Sequence, residues 1–435
     1  MIKLPKKTFL IFLIFILGLG IGLGTTSFKG FEFKNQLFTT QQDPYEAFLS
    51  EIYDKTKENY WDKVTDEALV NLFKLATEKL GGGTLELKSN TKGEFISAYS
   101  KNLKKIDEDK RKEVTINIVA AVLANLAPAG RSGLYTQKLE TQLNNTVSNI
   151  NPEKDLYKDL GLDKGATKES VKETSKKLVA DLEKKAEGSP EAKKKLEEVK
   201  YAEAVLTEPD KKERYDSSGV EPTVFSKIVT PNVAYVFLKK FSPTTYDEFQ
   251  KVFVEFEKPN SPKALIFDLS SNVGGAIDVL PFFLGNFIGK DQYAYEFFHQ
   301  GDYKPFKTTL DKLIGINNFK QVVILVDNKT QSSAEMMASV LKKYHIGVLV
   351  GIPTKGWGTV ERVFPLDHQI DASEKLSLFL VHSITIRDDG QPIEGRGVEP
   401  NINTTNPNWQ SELNSYFNNA ALTNSVKNII NQKLD

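Results

Sequence analysis

The stretch "DNKTQSSAEMMASVL", residues 327–341, decides how the chain folds. It follows "QVVILV" (321–326), an apolar run of strand length, and leads into an amphipathic helical pattern. A buried strand that turns straight into a helix puts Ser332 and Ser333 in the first helical turn. There a serine has two uses. It can cap the helix, with Glu335 as its capping-box partner. Alternatively, Ser332 Oγ can attack a carbonyl, with the helix dipole and the Ser333 N–H favouring negative charge on the carbonyl oxygen.

Outward from this corner, residues from about Pro222 alternate between strand and helix. "VAYVFLKKF" (233–241), "KALIFDLS" (263–270) and "GVLVG" (347–351) read as buried strands, and "TTYDEFQKVFVEFEK" (244–258) as a helix. "KLSLFLVHSITI" (375–386) reads as a strand pair or one long strand. Short, continuously apolar strands predict an α/β core covered on both faces. Two further stretches could carry chemistry. "DLSSNVGG" (268–275) ends a strand in a turn that two glycines make permissive, either a simple turn or a loop whose N–H groups face an oxyanion. "GIPTKGWGTVERVFPL" (351–366) has three glycines among bulky residues and reads as a strand that another backbone approaches closely.

Upstream, "DPYEAFLSEIYDKTKENYWDKVTDEALVNLFKLATEKL" (43–80) and "KRKEVTINIVAAVLANLA" (110–127) predict a helical region over 40–150. From 151 to 219 the texture becomes lysine- and glutamate-rich, with Val171, Leu178 and Leu182 able to face Leu196, Val199, Ala202, Val205 and Leu206 across a helical hairpin. "DLYKDLGLDKGATKESVKETSKKL" (155–178) and "KLEEVKYAEAVLTEPDKKERYD" (195–216) resemble the two ends of a J-domain. Where that family has His-Pro-Asp, this chain reads Glu183-Lys184-Lys185, so stimulation of a heat-shock ATPase is not expected.

Composition narrows the function classes. Lys+Arg and Asp+Glu balance at 57 each, with no basic stripe, so nucleic acid is not an expected partner. Zero cysteines exclude disulfides and thiol catalysis, and His299, His345, His368 and His382 have no metal-ligand spacing, so no cofactor or metal is expected. Three lysines precede an uncharged apolar run, Thr8 to Phe28. This predicts a signal anchor over residues 1–30, a single membrane-spanning segment with the bulk of the chain extracytoplasmic.

The four stretches "DLSSNVGG", "SSAEMMASVL", "VGIPTKGWGTVERVFPL" and "ITIRDDGQPIEGRGVEPNI" (384–402), in that order, resemble the carboxyl-terminal processing (tail-specific) serine peptidases from 222 to about 405. "LANLAPAGRSGLYT" (123–136) extends the likeness upstream. The resemblance implies an α/β core of the tail-specific peptidase (ClpP/crotonase-like) type over 222–435. The helical N-terminal region precedes it, and the small all-α J-like module stands where the family inserts a PDZ domain. It implies Ser332 as nucleophile, the amides of Gly274, Gly275 and Ser333 as oxyanion donors, and an extended polypeptide as substrate or ligand. The family's general-base lysine is here Trp357, and the glutamine that orients it is Glu361. An indole N–H only donates, whereas a serine hydroxyl needs a neighbour that accepts its proton. Lys355, two residues earlier, is the remaining basic candidate if the segment is extended. No histidine occurs in residues 1–298 to replace it. The expectation is a membrane-anchored endopeptidase homologue that is impaired or inactive, or a pseudopeptidase acting as a peptide-binding scaffold with the J-like module as a docking surface.

Overall fold

The computed structural model describes residues 43–434 apart from 82 and 187. The apolar run at 8–28 lies outside the described residues, and among those described no helix is long and apolar enough to cross a membrane. The helical N-terminal region comprises α1 (Pro44–Asn59), α2 (Asp66–Leu80), α3 (Lys92–Leu103) and α4 (Glu108–Ala124), then a short strand β1 (Gly133–Thr136) and α5 (Gln137–Ser148). The 43–80 pattern is thus two helices. Thr65 starts the second by accepting the Ala68 N–H at 3.2 Å.

The lysine-rich segment forms α6 (Leu156–Asp159), α7 (Lys168–Ala186), α8 (Pro190–Leu206) and α9 (Pro209–Ser218). Helices α7 and α8 pair over a small apolar core of Leu156, Tyr157, Val171, Val199, Ala202 and Leu206. Glu183, Lys184 and Lys185 lie in the last helical turns of α7 rather than in a loop, so the helix continues through the position of the missing tripeptide. The module enters and leaves through one neck. There Ile150 bridges Val220, and the Asn149 Nδ2 donates to the carbonyls of Glu221 (2.9 Å) and Pro222 (3.2 Å).

The core continues with β2 (Val224–Thr230), β3 (Val233–Leu238), α10 (Thr245–Glu255), β4 (Ala264–Asp268), α11 (Leu280–Ile288), β5 (Tyr293–His299), β6 (Asp302–Lys307) and α12 (Ile314–Asn317). Then come β7 (Gln321–Val326), α13 (Ser333–Lys343), β8 (Val348–Gly351), β9 (Thr359–Pro365), β10 (Leu376–Ile386), β11 (Ile402–Asn403), α14 (Trp409–Phe417) and α15 (Ala420–Leu434). One sheet runs β11-β8-β7-β4-β3-β2, parallel except for the edge strand β2. One face packs on α10, α11 and α13 through residues such as Phe249, Phe283 and Met337, and the other on α14 and α15 through Trp409, Leu413 and Val426. Coverage on both sides is why its inner strands β3, β4, β7 and β8 are apolar along nearly their whole length. The second sheet joins β1, β10, β5 and β6, with β9 also on β10. "KLSLFLVHSITI" is therefore one long strand, and its Leu376, Leu378 and Leu380 bury against the N-terminal helices.

The expectation of a strand from Gly351 is corrected. Strand β8 ends there, residues 352–358 form a loop, and β9 begins at Thr359. Gly356 has φ +78°, which turns the chain out of the extended conformation.

Candidate functional site

In a parallel sheet the loops that leave the strands' carboxyl ends gather on one side, the usual place for a site. Strand β7 lies between β4 and β8, with Asp268 opposite Leu325 and Val326 opposite Gly351. The loops 269–276, 327–332 and 352–358 must therefore meet, although they are far apart in sequence. Side chains tie them together. Asp327 Oδ1 accepts the N–H groups of Ser271 and Thr330, each at 2.8 Å, and the Gln331 N–H donates to the Asn272 carbonyl at 2.9 Å.

Ser332 is half-buried at the start of α13, with φ +56° and ψ −126°. The capping residues Thr65, Thr91, Thr136 and Ser189 all have extended backbone, with φ between −137° and −72°. Ser332 differs from every one of them. A non-glycine residue in this region is strained, and such strain gathers at functional corners where a strand turns sharply into a helix. Gly274 allows the corner to close, since a Cβ there would lie 2.7 Å from Ser332 Cβ.

Glu335 holds the corner from beneath. Fully buried, it accepts the N–H groups of Ser332 (2.9 Å) and Trp357 (2.8 Å) on Oε2, and the Gly356 N–H (2.7 Å) and Thr354 hydroxyl (2.5 Å) on Oε1. Burial raises its pKa, and the four donors offset this only in part. One carboxylate thereby fixes the serine loop to the loop that carries position 357.

The three oxyanion candidates separate. The Gly274 N–H is not free, because it donates to Asn272 Oδ1 at 2.8 Å. The N–H groups of Gly275 and Ser333 have no acceptor among the described residues, and the Ser333 hydroxyl donates to the Gly275 carbonyl at 3.0 Å, holding the two segments together. The available donor pair is Gly275 and Ser333.

The base candidates also separate. Lys355 is exposed, and its Nζ donates to Gln331 Oε1 at 2.6 Å. The turn at Gly356 takes the segment out of the extended conformation, and the Lys355 Nζ lies over the Trp357 ring, 4.8 Å from its centroid, rather than against Ser332. No hydrogen bond joins Lys355 to Ser332. The Trp357 indole N–H donates to Glu361 Oε1 at 3.2 Å, and the Thr359 hydroxyl donates to the same oxygen. Burial raises the pKa of Glu361, with the Thr359 and Trp357 hydrogen bonds acting against it. The substituted pair is self-consistent, an N–H donor facing a carboxylate acceptor.

Residues not singled out from the sequence complete the site. Arg131, half-buried between α4 and β1, lays its guanidinium 3.4 Å from the Trp357 ring centroid. It also pairs with Glu394 at 3.0 Å and donates to Thr359 Oγ1 at 2.8 Å. Glu394 accepts the Gly358 N–H at 2.7 Å. Arg131 lies within the "LAPAGRSGLYT" stretch, which was the one signal pointing toward it.

Comparison with known proteins agrees with this architecture. Residues 232–404 match peptidase family S41, and residues 155–216 match the DnaJ domain. The chain is 30% identical over 196 residues to the carboxy-terminal processing protease CtpB of Bacillus subtilis, covering 43% of this chain and 38% of that protein. It is 26% identical over 204 residues to a probable CtpA-like serine protease of Staphylococcus epidermidis, covering 47% and 40%. The chain thus spans about two fifths of the length of the curated relatives it matches. Among solved structures, the photosystem II D1 C-terminal processing protease aligns with a TM-score of 0.47 and 15% identity over 83% of this chain and 92% of that one. Residues 232–404 thus match peptidase family S41 and resemble the carboxy-terminal processing proteases, and residues 155–216, ahead of them, match the DnaJ domain.

Proposed function

We propose that this protein is an extracytoplasmic, membrane-anchored homologue of the carboxyl-terminal processing endopeptidases whose site is impaired or inactive, and that it receives extended polypeptides rather than cleaving them efficiently. The observation that carries this reading is Trp357 in the base position, with its indole N–H committed to Glu361. Among the described residues no side chain is hydrogen-bonded to the Ser332 hydroxyl, and removing the base from a serine site costs on the order of 10⁶ in rate, leaving about 10³ from binding and the oxyanion hole. The peptide would lie extended along a sheet edge, and the J-like module would offer a docking surface without activating a heat-shock ATPase. Anchoring rests on the lysines and apolar run of residues 1–28.

A second reading keeps slow proteolysis with Lys355 as a relocated base. The strained φ of Ser332 favours it, since a nucleophile's geometry is retained. Treating the full chain with a fluorophosphonate and with an unfolded protein, beside Ser332→Ala, separates the two. The expected result is neither labelling nor cleavage, with peptide binding intact. Labelling and cleavage that vanish in Ser332→Ala would overturn it, and Lys355→Ala would then identify the base.

A further inference from the structure

We infer that Arg131 is a positioning residue for Trp357, so that the helical N-terminal region, and not the peptidase core alone, sets the peptide-contacting wall of the site. This rests on the reading that the site binds polypeptide without cleaving it. The backbone at 357 is held by Glu335, but that hydrogen bond fixes only the N–H and leaves the ring free to turn about its side-chain torsions. The indole N–H contact to Glu361, at 3.2 Å, fixes one ring atom. Two cations lie over the ring, the Arg131 guanidinium at a stacking distance of 3.4 Å and the exposed Lys355 ammonium at 4.8 Å from its centroid, and the closer, half-buried and planar one is Arg131.

Arg131 is itself immobilised. Its guanidinium reaches Glu394 through both Nη atoms, at 3.0 Å and 3.4 Å, and Thr359 through Nη1 at 2.8 Å. Thr359 and Glu394 then turn back to the loop, one through Glu361 and the other through the Gly358 N–H. The cluster closes on itself around the indole, and each member has a complementary partner. The guanidinium supplies what the core lacks, a flat cation that covers an aromatic face and donates in its own plane at the same time. A lysine at 131 would keep the charge opposite Glu394 and lose the plane.

The anchor of Arg131 lies in the N-terminal region. The Ala127 carbonyl just upstream accepts the Trp61 indole N–H at 2.7 Å and the Tyr60 hydroxyl, and the Ser132 hydroxyl just downstream accepts the Val381 N–H at 3.1 Å. The segment that delivers Arg131 is thus braced on both sides. Trp357 remains half-buried, leaving part of the ring for a bound chain.

The test labels the full chain with 5-fluorotryptophan and follows the three tryptophan resonances, assigning Trp357 with Trp357→Phe. In both Arg131→Ala and Arg131→Lys the Trp357 resonance is expected to move while that of Trp409 stays, since Trp409 packs on the far face of the core sheet. Arg131→Lys guards against simple unfolding because it retains the ion pair with Glu394. Affinity for a fluorescein-labelled unfolded polypeptide is expected to fall about tenfold in Arg131→Lys and in Trp357→Ala, and no further in the double variant, as coupled residues require. An unmoved Trp357 resonance, or additive losses, overturns the positioning role while leaving the binding reading intact. Fluorophosphonate labelling of the unmutated chain overturns the binding reading while leaving the resonance result to stand by itself.

Discussion

Replacing Glu335 by glutamine tests whether its buried carboxylate, beyond its capping bond to the Ser332 N–H, holds the serine loop to the loop that carries position 357. The side chain accepts four hydrogen bonds and is fully buried. Glutamine offers one oxygen and one donating NH₂. If the NH₂ faces Ser332 and Trp357, two backbone N–H groups confront a donor. If it faces Thr354 and Gly356, the Thr354 hydroxyl can rotate to accept, and only the Gly356 N–H is left unmet. The second arrangement is cheaper. One buried unmet donor costs about 1–3 kcal/mol, and turning two charge-assisted bonds into neutral ones costs about 1 kcal/mol each. Relief of the buried charge, which raises the carboxyl pKa in the native protein, offsets part of this. The net expectation is a loss of about 2–3 kcal/mol, read from the midpoint of urea unfolding at pH 7. The sign with pH is also fixed. A raised native pKa means that the folded state holds this proton more tightly, so its contribution to stability falls as pH rises from the ordinary glutamate value of 4.5 through the native value, and Glu335→Gln removes that slope. An unchanged or raised midpoint at pH 7 would refute the clamp, because burial of the charge would then outweigh all four hydrogen bonds.

Three more outcomes follow from particular contacts. Gly274→Ala puts a Cβ 2.7 Å from Ser332 Cβ at a φ of +79°, and should cost about 2–3 kcal/mol in urea unfolding, whereas an unaltered midpoint would mean that the corner is not close-packed. Arg214→Ala removes the cation beside Glu248, a buried acceptor for the Thr223 and Val224 N–H groups at 2.7 Å and 3.1 Å. Hydrogen exchange should then quicken through residues 155–216 and remain slow in β4, and equal protection of the module in both proteins would disprove this docking. His382 is held neutral, its pKa lowered from 6.5 to about 4 by burial first and then by Arg362, His299 and Lys304. Because the unfolded chain takes up that proton more readily, stability should be lost as pH falls from about 6.5 toward 4, by at most about 3 kcal/mol, and His382→Phe should flatten that limb of the pH profile.

The sequence carried the local patterns and the order of the motifs. The strand–turn–helix at 321–343 was legible because apolar periodicity changes from strand to helix across it, and Ser332 falls at the helix start on that evidence alone. The helical N-terminal region and the α/β core followed from the same signal, and the absence of a lysine at position 357 is a fact of sequence. Strand β1 was not legible, because four half-buried residues have no period of their own and pair only through β10. The loop at 352–358 was mistaken for a strand because Gly356 turns the chain by a backbone angle that spacing does not record. Tertiary structure alone decided the rest. It gave Ser332 its strained φ, occupied the Gly274 amide with Asn272, and drew Lys355 away to Gln331. It also brought Arg131 and Glu394, 263 residues apart, around one indole. The reason is physical. Periodicity reports which face of an element is buried, whereas hydrogen-bond partners at the carboxyl ends of parallel strands are chosen by which loops the strand order makes neighbours.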